Sequence, residues 1–162
     1  MNEACKTKEQ IVDVETRRRP ARRSNLEKTR EYAWSLILSS PDMIIAVDRD
    51  RRIIEFNKAA QRTFGYNLEE ILGKHVGMLY SDPEEGIRIH EATRRRGQIT
   101  GEVMNRRKNG ETFTSSISAS VLYDPEGAFI GFMGISRDIT ARKKIDQMKN
   151  EFIWRYRRAG LR

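Results

Sequence analysis

The chain has 162 residues, is 38% hydrophobic and carries a formal net charge of +8. That length suits one domain of ordinary size with flanking segments. No apolar run approaches the roughly 18 residues of a membrane span, no apolar signal core opens the chain, and the single cysteine, Cys5, excludes an intrachain disulfide and a cysteine metal cluster. A cytoplasmic protein without a metal site is the expectation.

The basic excess invites a nucleic-acid reading, but its distribution argues against one. Residues 32–140 hold 14 basic and 15 acidic side chains. Residues 1–31 hold 9 and 6, and residues 141–162 hold 8 and 2. The positive charge therefore lies in the flanks, where a solvated helix face explains it as well as DNA or an anionic membrane does.

Residues 1–23 read as a disordered or short-helical basic tail, stopped by Arg17-Arg18-Arg19-Pro20. Ser24 and Glu27 form a capping-box pattern for a helix over 24–39. Its stripe of Leu26, Ala33, Leu36 and Ile37 suits core packing or a dimer seam. Met43–Val47 and Arg52–Phe56 read as a strand pair across the polar turn 48–51. Short helices follow from Asn57 and over Asn67–Gly73, and a longer one from Asp82-Pro83 to about Gly97. His75 precedes that helix in a loop and reads as structural or solvated.

Three strands close the pattern: Ile99–Arg107, Glu111–Tyr123 and Ala128–Asp138. Asn109-Gly110 predicts a two-residue hairpin turn with both residues at positive φ. Phe113, Ser115, Ile117, Ala119 and Val121 alternate with hydroxyl residues, which puts them on one strand face. Two strands, several helices and three strands imply an α+β fold with an antiparallel sheet.

Five segments in register resemble PAS domains of the PAS/PAC, S-box type found N-terminal to sensor histidine kinases. They are 40–44, 54–60, 64–74, 107–111 and Gly131-Phe132-Met133-Gly134-Ile135-Ser136-Arg137-Asp138-Ile139-Thr140. The resemblance implies a five-stranded antiparallel sheet over 40–140 with short helices on one face, flanked by the N-terminal helix and a basic linker helix over 141–162. It also implies a pocket between helices and sheet. Its candidate lining is Ile45, Val47, Phe64, Ile87, His90, Phe113, Ser115, Ile117, Met133 and Ile135, residues that a plain core would also supply.

Flavin photochemistry of the adduct type needs a cysteine, and 73–78 holds none. Noncovalent flavin and haem stay open. His90 sits one helical turn nearer the strand than the family's usual haem ligand, on the same face. Asp138, Ile139 and Thr140 are the expected signal-coupling residues, with Asp138 pinning the angle at which the last helix departs.

Ile145, Met148 and Phe152 follow three- and four-residue steps, a short coiled-coil seam that Arg155 interrupts. Association as a homodimer through the flanking helices is the expectation. Gln147–Ile153 resembles the start of a histidine-kinase phosphoacceptor helix, but Trp154-Arg155-Tyr156 follows where that family has Ser-His-Glu. The expectation is thus a non-enzymatic signal-transduction module that senses a small ligand or mediates dimerisation. It would act on a downstream kinase, phosphorelay or transcriptional regulator. The alternative is the sensor part of a histidine kinase or cyclic-dinucleotide enzyme. A DNA- or membrane-associated regulator using the basic tail is a third, weaker reading.

Overall fold

The structure, a computed structural model, describes residues 25–158. The readings for the tail 1–23, for Ser24 and for the last four residues fall outside that range. Contacts divide the chain at Ser39/Ser40 into two compact units.

The first unit holds helix α1, residues 25–39. Thr29 and Ser35 hydroxyls donate back to the carbonyls four residues earlier. Leu26, Tyr32 and Leu36 of its apolar stripe and flank are exposed.

The second unit is α+β. Its elements are β1 (Met43–Asp48), β2 (Ile53–Phe56), α2 (Lys58–Phe64), α3 (Leu68–Ile71), a 3-10 turn (Val76–Leu79), α4 (Pro83–Arg96), β3 (Gln98–Arg106), β4 (Thr112–Tyr123), β5 (Phe129–Asp138) and α5 (Thr140–Arg158). The sheet order is β2-β1-β5-β4-β3, and all four pairings are antiparallel. The short helices cover one face. Between them and the sheet, Phe56, Phe64 and Phe113 are almost fully buried. Their rings meet at centroid distances of 5.9 Å for Phe56–Phe64 and 5.3 Å for Phe64–Phe113. Each such ring stabilises the fold by roughly 1.5–3 kcal/mol through burial alone.

Asn57 joins the two layers. Its side chain is completely buried. The Oδ1 accepts from the Ile44 amide of β1 at 3.0 Å and from the Ala60 amide of α2 at 2.9 Å. The Nδ2 donates to the Asp42 carbonyl at 2.9 Å. One amide thus caps α2 and fixes it against β1. At the other end of β1, a Cβ on Gly131 would run into the Val47 carbonyl, so β5 needs a glycine there.

Two expectations change. The β3–β4 hairpin closes through three residues, not two. The Gly110 amide bonds the Arg107 carbonyl and the Arg107 amide bonds the Glu111 carbonyl. Gly110 alone is left-handed, at φ 87°. Asn109 keeps negative φ because its Oδ1 accepts from the Glu111 amide. The second change concerns β5. Its cross-strand partners place Phe132 beside Val47 and Val121, and Gly134 beside Ile45 and Ala119, on the helix-covered face. Met133 and Ile135 pair with Ala46 and Ile44 on the opposite face.

Asn57→Ala should lower unfolding stability by about 1–3 kcal/mol in urea denaturation, because it strands two amides and a carbonyl. A loss within the scatter of ordinary surface substitutions would remove Asn57 from this role.

Candidate functional site

The helices and the sheet enclose a cavity of about 50 Å³. Ile45 and Val47 of β1, Phe64 of α2, His90 of α4 and Ile117 of β4 line it as expected, and Met133 borders it. Four expected residues do not line it. Phe113 is core, packed on Phe64. Ser115 is fully buried and donates to Asn105. Ile87 is 40% exposed, because Gly86, His90 and Thr93 rather than Ile87 form the inward stripe of α4. Ile135 is 38% exposed on the outer sheet face.

Their places are taken by Val76, Leu79 and Tyr80 from the 3-10 segment, Ile89 and Thr93 from α4, Asn105 from β3, and Phe132 and Ser136 from β5. Few of these carried a periodic signal. The 3-10 segment is too short for a helical period. It is capped by His75, whose Nδ1 accepts from the Gly77 amide. Tyr80 comes close to α4 because residue 86 is glycine; a Cβ there would stand 2.7 Å from the Tyr80 ring.

Thr93, Asn105 and His90, which line the cavity, bond to the protein. Thr93 donates to the Ile89 carbonyl at 2.7 Å, and Asn105 donates to the Leu79 carbonyl at 3.0 Å and accepts from Ser115. His90 Nδ1 lies 2.6 Å from the Gly86 carbonyl. Its ring stands edge-on to Phe132, at 5.1 Å, and to Tyr80, at 6.5 Å. Burial pushes the His90 imidazole below its ordinary value, and the nearby Arg51 charge adds to this against the Gly86 bond. Burial, with the Glu85 charge, pushes the Tyr80 phenol up to about 12. Among the described residues no buried side-chain nitrogen or oxygen lacks a partner. A cavity of this size has room for a few waters at most, since one needs at least about 10–15 Å³. Ligand pockets usually offer about 300–1,000 Å³. This space is smaller than haem or a flavin, so either group would need these side chains to repack.

The second assembly lies at the end of β5. Asp138 Oδ1 accepts from the Thr140 amide at 2.9 Å, and Oδ2 accepts from Arg107 Nη2 at 2.7 Å. Thr140 Oγ1 accepts from the Thr114 amide at 3.2 Å, and the Ile139 amide donates to the Thr114 carbonyl at 2.9 Å. Lys143 pairs with Glu102 of β3. The start of α5 is thus fastened to β3 and β4. Beyond that root, α5 buries no residue. Partial burial raises the Asp138 carboxyl, but the bonds from Thr140 and Arg107 together outweigh it and hold it below the usual range. Arg107, Thr114, Glu102 and Lys143 are additions to the expected triplet; nothing in sequence spacing links positions 107 and 138.

A family model described as PAS domain matches residues 41–141, more than half of the chain. Two-component system protein A of Emericella nidulans is 33% identical over 107 residues, which are 64% of this chain and 16% of that protein. Blue-light-activated histidine kinase 1 of Erythrobacter litoralis is 26% identical over 133 residues, 80% of this chain and 36% of that protein. The crystal structure of a PAS domain from Colwellia psychrerythraea superposes with a TM-score of 0.62 at 29% identity, covering 72% of this chain and 98% of that one. This chain spans about a sixth to a third of the length of these two curated relatives, and the stretch shared with kinases is the PAS part. No helix among the described residues is long and apolar enough to cross a membrane.

Asp138→Ala should speed hydrogen exchange of amides 139–143 while leaving core amides protected. Collapse of protection across the sheet would contradict that expectation. In the wild type the Asp138 contribution is fully present above the free carboxyl value of about 4 and disappears as pH falls through the lower folded value. The same exchange should therefore rise selectively in strong acid. The chain belongs to the PAS domain family, with its sensory part similar to those of histidine kinases.

Proposed function

We propose that this chain is a non-enzymatic signalling module that associates as a homodimer through its flanking helices and passes changes in its PAS domain to a downstream kinase or regulator in the cytoplasm. In this reading residues 40–140 form the sensory domain, 24–39 the entry helix and 141–162 the output helix. The observation that carries it is α5, fastened at its root and bare beyond. Ile145, Met148 and Phe152 are 49%, 61% and 64% exposed and fall on one helix face.

These side chains are only about half exposed, so burying three on each of two helices gains on the order of 5–10 kcal/mol in all. Association costs an estimated 4–15 kcal/mol. The seam alone therefore gives a weak dimer, and α1, with exposed Leu26 and Leu36, supplies the remainder. The cavity supports a domain packed with its own side chains, able to admit a ligand no larger than a few atoms. Asp138, Ile139 and Thr140 couple sheet to helix, and Arg107 extends that coupling to α2.

A second reading, the sensor part of a longer histidine kinase, is favoured by one observation: the kinase relatives are several times longer than the shared stretch. Sequencing the gene beyond Arg162 separates the two.

Native mass spectrometry with sedimentation at tens of micromolar should show a dimer without haem or flavin mass. Phe152→Asp should make it monomeric with the core still folded, its melting temperature falling only by the loss of association. A wild-type monomer would overturn the association, and a bound macrocycle or flavin would overturn the packed-domain reading.

A further inference from the structure

Outside the cavity, on the far side of His90 and Phe132, lies an open cleft of about 180 Å³. Arg49 and Arg51 from the β1–β2 turn and Arg94 from α4 line it, together with Ile87 and Glu91. Three arginines and one carboxylate thus line one cleft. Among the described residues, none of the three has a carboxylate within ion-pair distance. The same turn carries the Asp48 and Asp50 carboxylates, which do not line the cleft; Asp48 Oδ1 accepts from the Asp50 and Arg52 amides, each at 2.9 Å.

The supports of this cleft are firm. The turn is held by the Asp48–Arg52 backbone pair, and the Arg51 carbonyl accepts from the Val76 amide at 2.9 Å. The Arg94 guanidinium lies 5.3 Å from the centroid of the Phe129 ring, which restricts its fork. Arg51 is the one non-glycine residue among those described with positive φ, at 61°. A side chain there is held in a backbone region where glycine is relaxed.

We infer that this cleft binds a small dianionic metabolite, its charged oxygens held by Arg49, Arg51 and Arg94 and its body against Ile87 and Phe132. Guanidiniums bind carboxylate and phosphate oxygens through paired N–H donors, and neighbouring cations without ion-pair partners are relieved by a dianion. The cleft is smaller than the ~300–1,000 Å³ of pockets for drug-sized ligands, which selects a small metabolite. His90 and Phe132 line both the cleft and the cavity. An anion in the cleft therefore touches the wall of the core without entering it. This ligand site does not depend on the dimer.

The test is calorimetric titration of the full chain at low ionic strength with sodium phosphate and, separately, sodium succinate. Saturable one-site binding of either probe is expected. Binding of both supports a general dianion site, phosphate alone names a phosphate ligand, and succinate alone a dicarboxylate. Arg51→Gly and Arg94→Gln should each weaken binding about tenfold or more, the loss of one charge-assisted contact. Arg51→Gly should at the same time leave the melting temperature nearly unchanged, since relief of the positive φ offsets glycine's greater freedom in the unfolded chain. Arg155→Gln, on α5 and away from the cleft, should leave binding unchanged. Absence of saturable binding for both anions would overturn the proposal, as would binding that survives Arg51→Gly and Arg94→Gln.

Discussion

The Arg107 guanidinium lies on the face of the Phe113 ring, 4.0 Å from its centroid, and donates to the Thr63 carbonyl at the end of α2 and to Asp138 at the end of β5. Its neighbour Lys108 adds a backbone bond to the Phe64 carbonyl and an ion pair with Glu70 of α3. The β3–β4 turn therefore holds the helical layer with one hand and the exit helix with the other. A planar fork with several fixed donors makes this arrangement, and a lysine has no equivalent geometry. Phe64 lines the cavity and packs on Phe113, so the cavity wall and the root of α5 share one charged contact. Removing water from around that contact keeps it from being screened, since Arg107 has a side-chain exposure of only 21%.

The distribution of satisfied and unsatisfied groups separates two places where a ligand could act. Inside, Thr93, Asn105, Ser115 and His90 spend their hydrogen bonds on the protein, and the space left over is small. Outside, three arginines line a cleft that holds one carboxylate, Glu91, and none of the three is ion-paired among the described residues. His90 and Phe132 divide the two. In such an arrangement the core need not open for the domain to respond. A shift of the dividing rings would move Phe132, and β5 carries Phe132 and Asp138 six residues apart on one strand.

Much of the fold was legible because local signals agreed with one another: hydrophobic period, caps at Asn57, Asn67 and Asp82, and glycines at helix ends. The site was less legible, for identifiable reasons. In β5, Phe132, Met133 and Ile135 are apolar on both faces, and Gly131 and Gly134 beside them erase the alternation that fixes register. The pairings of Phe132 with Val47 and Val121, and of Gly134 with Ile45 and Ala119, decide which face points inward. In α4 the inward stripe contains glycine, histidine and threonine, so hydrophobicity favoured the exposed Ile87. Asn105 and Ser136 look like surface residues until their partners are known. Asp138 was found through its motif, but its arginine lies 31 residues away, a distance that no local pattern spans.

The central claim is that packing at the cavity reaches α5 through Arg107, and a claim of coupling needs a coupling measurement. The most direct one is a double-mutant cycle read by hydrogen exchange of amides 139–143, using Phe64→Leu, Arg107→Lys and the pair. The account predicts that Phe64→Leu speeds exchange at the α5 root in the wild type and adds nothing once Arg107 is lysine. Increments that simply add, or a root that ignores Phe64→Leu, would contradict it.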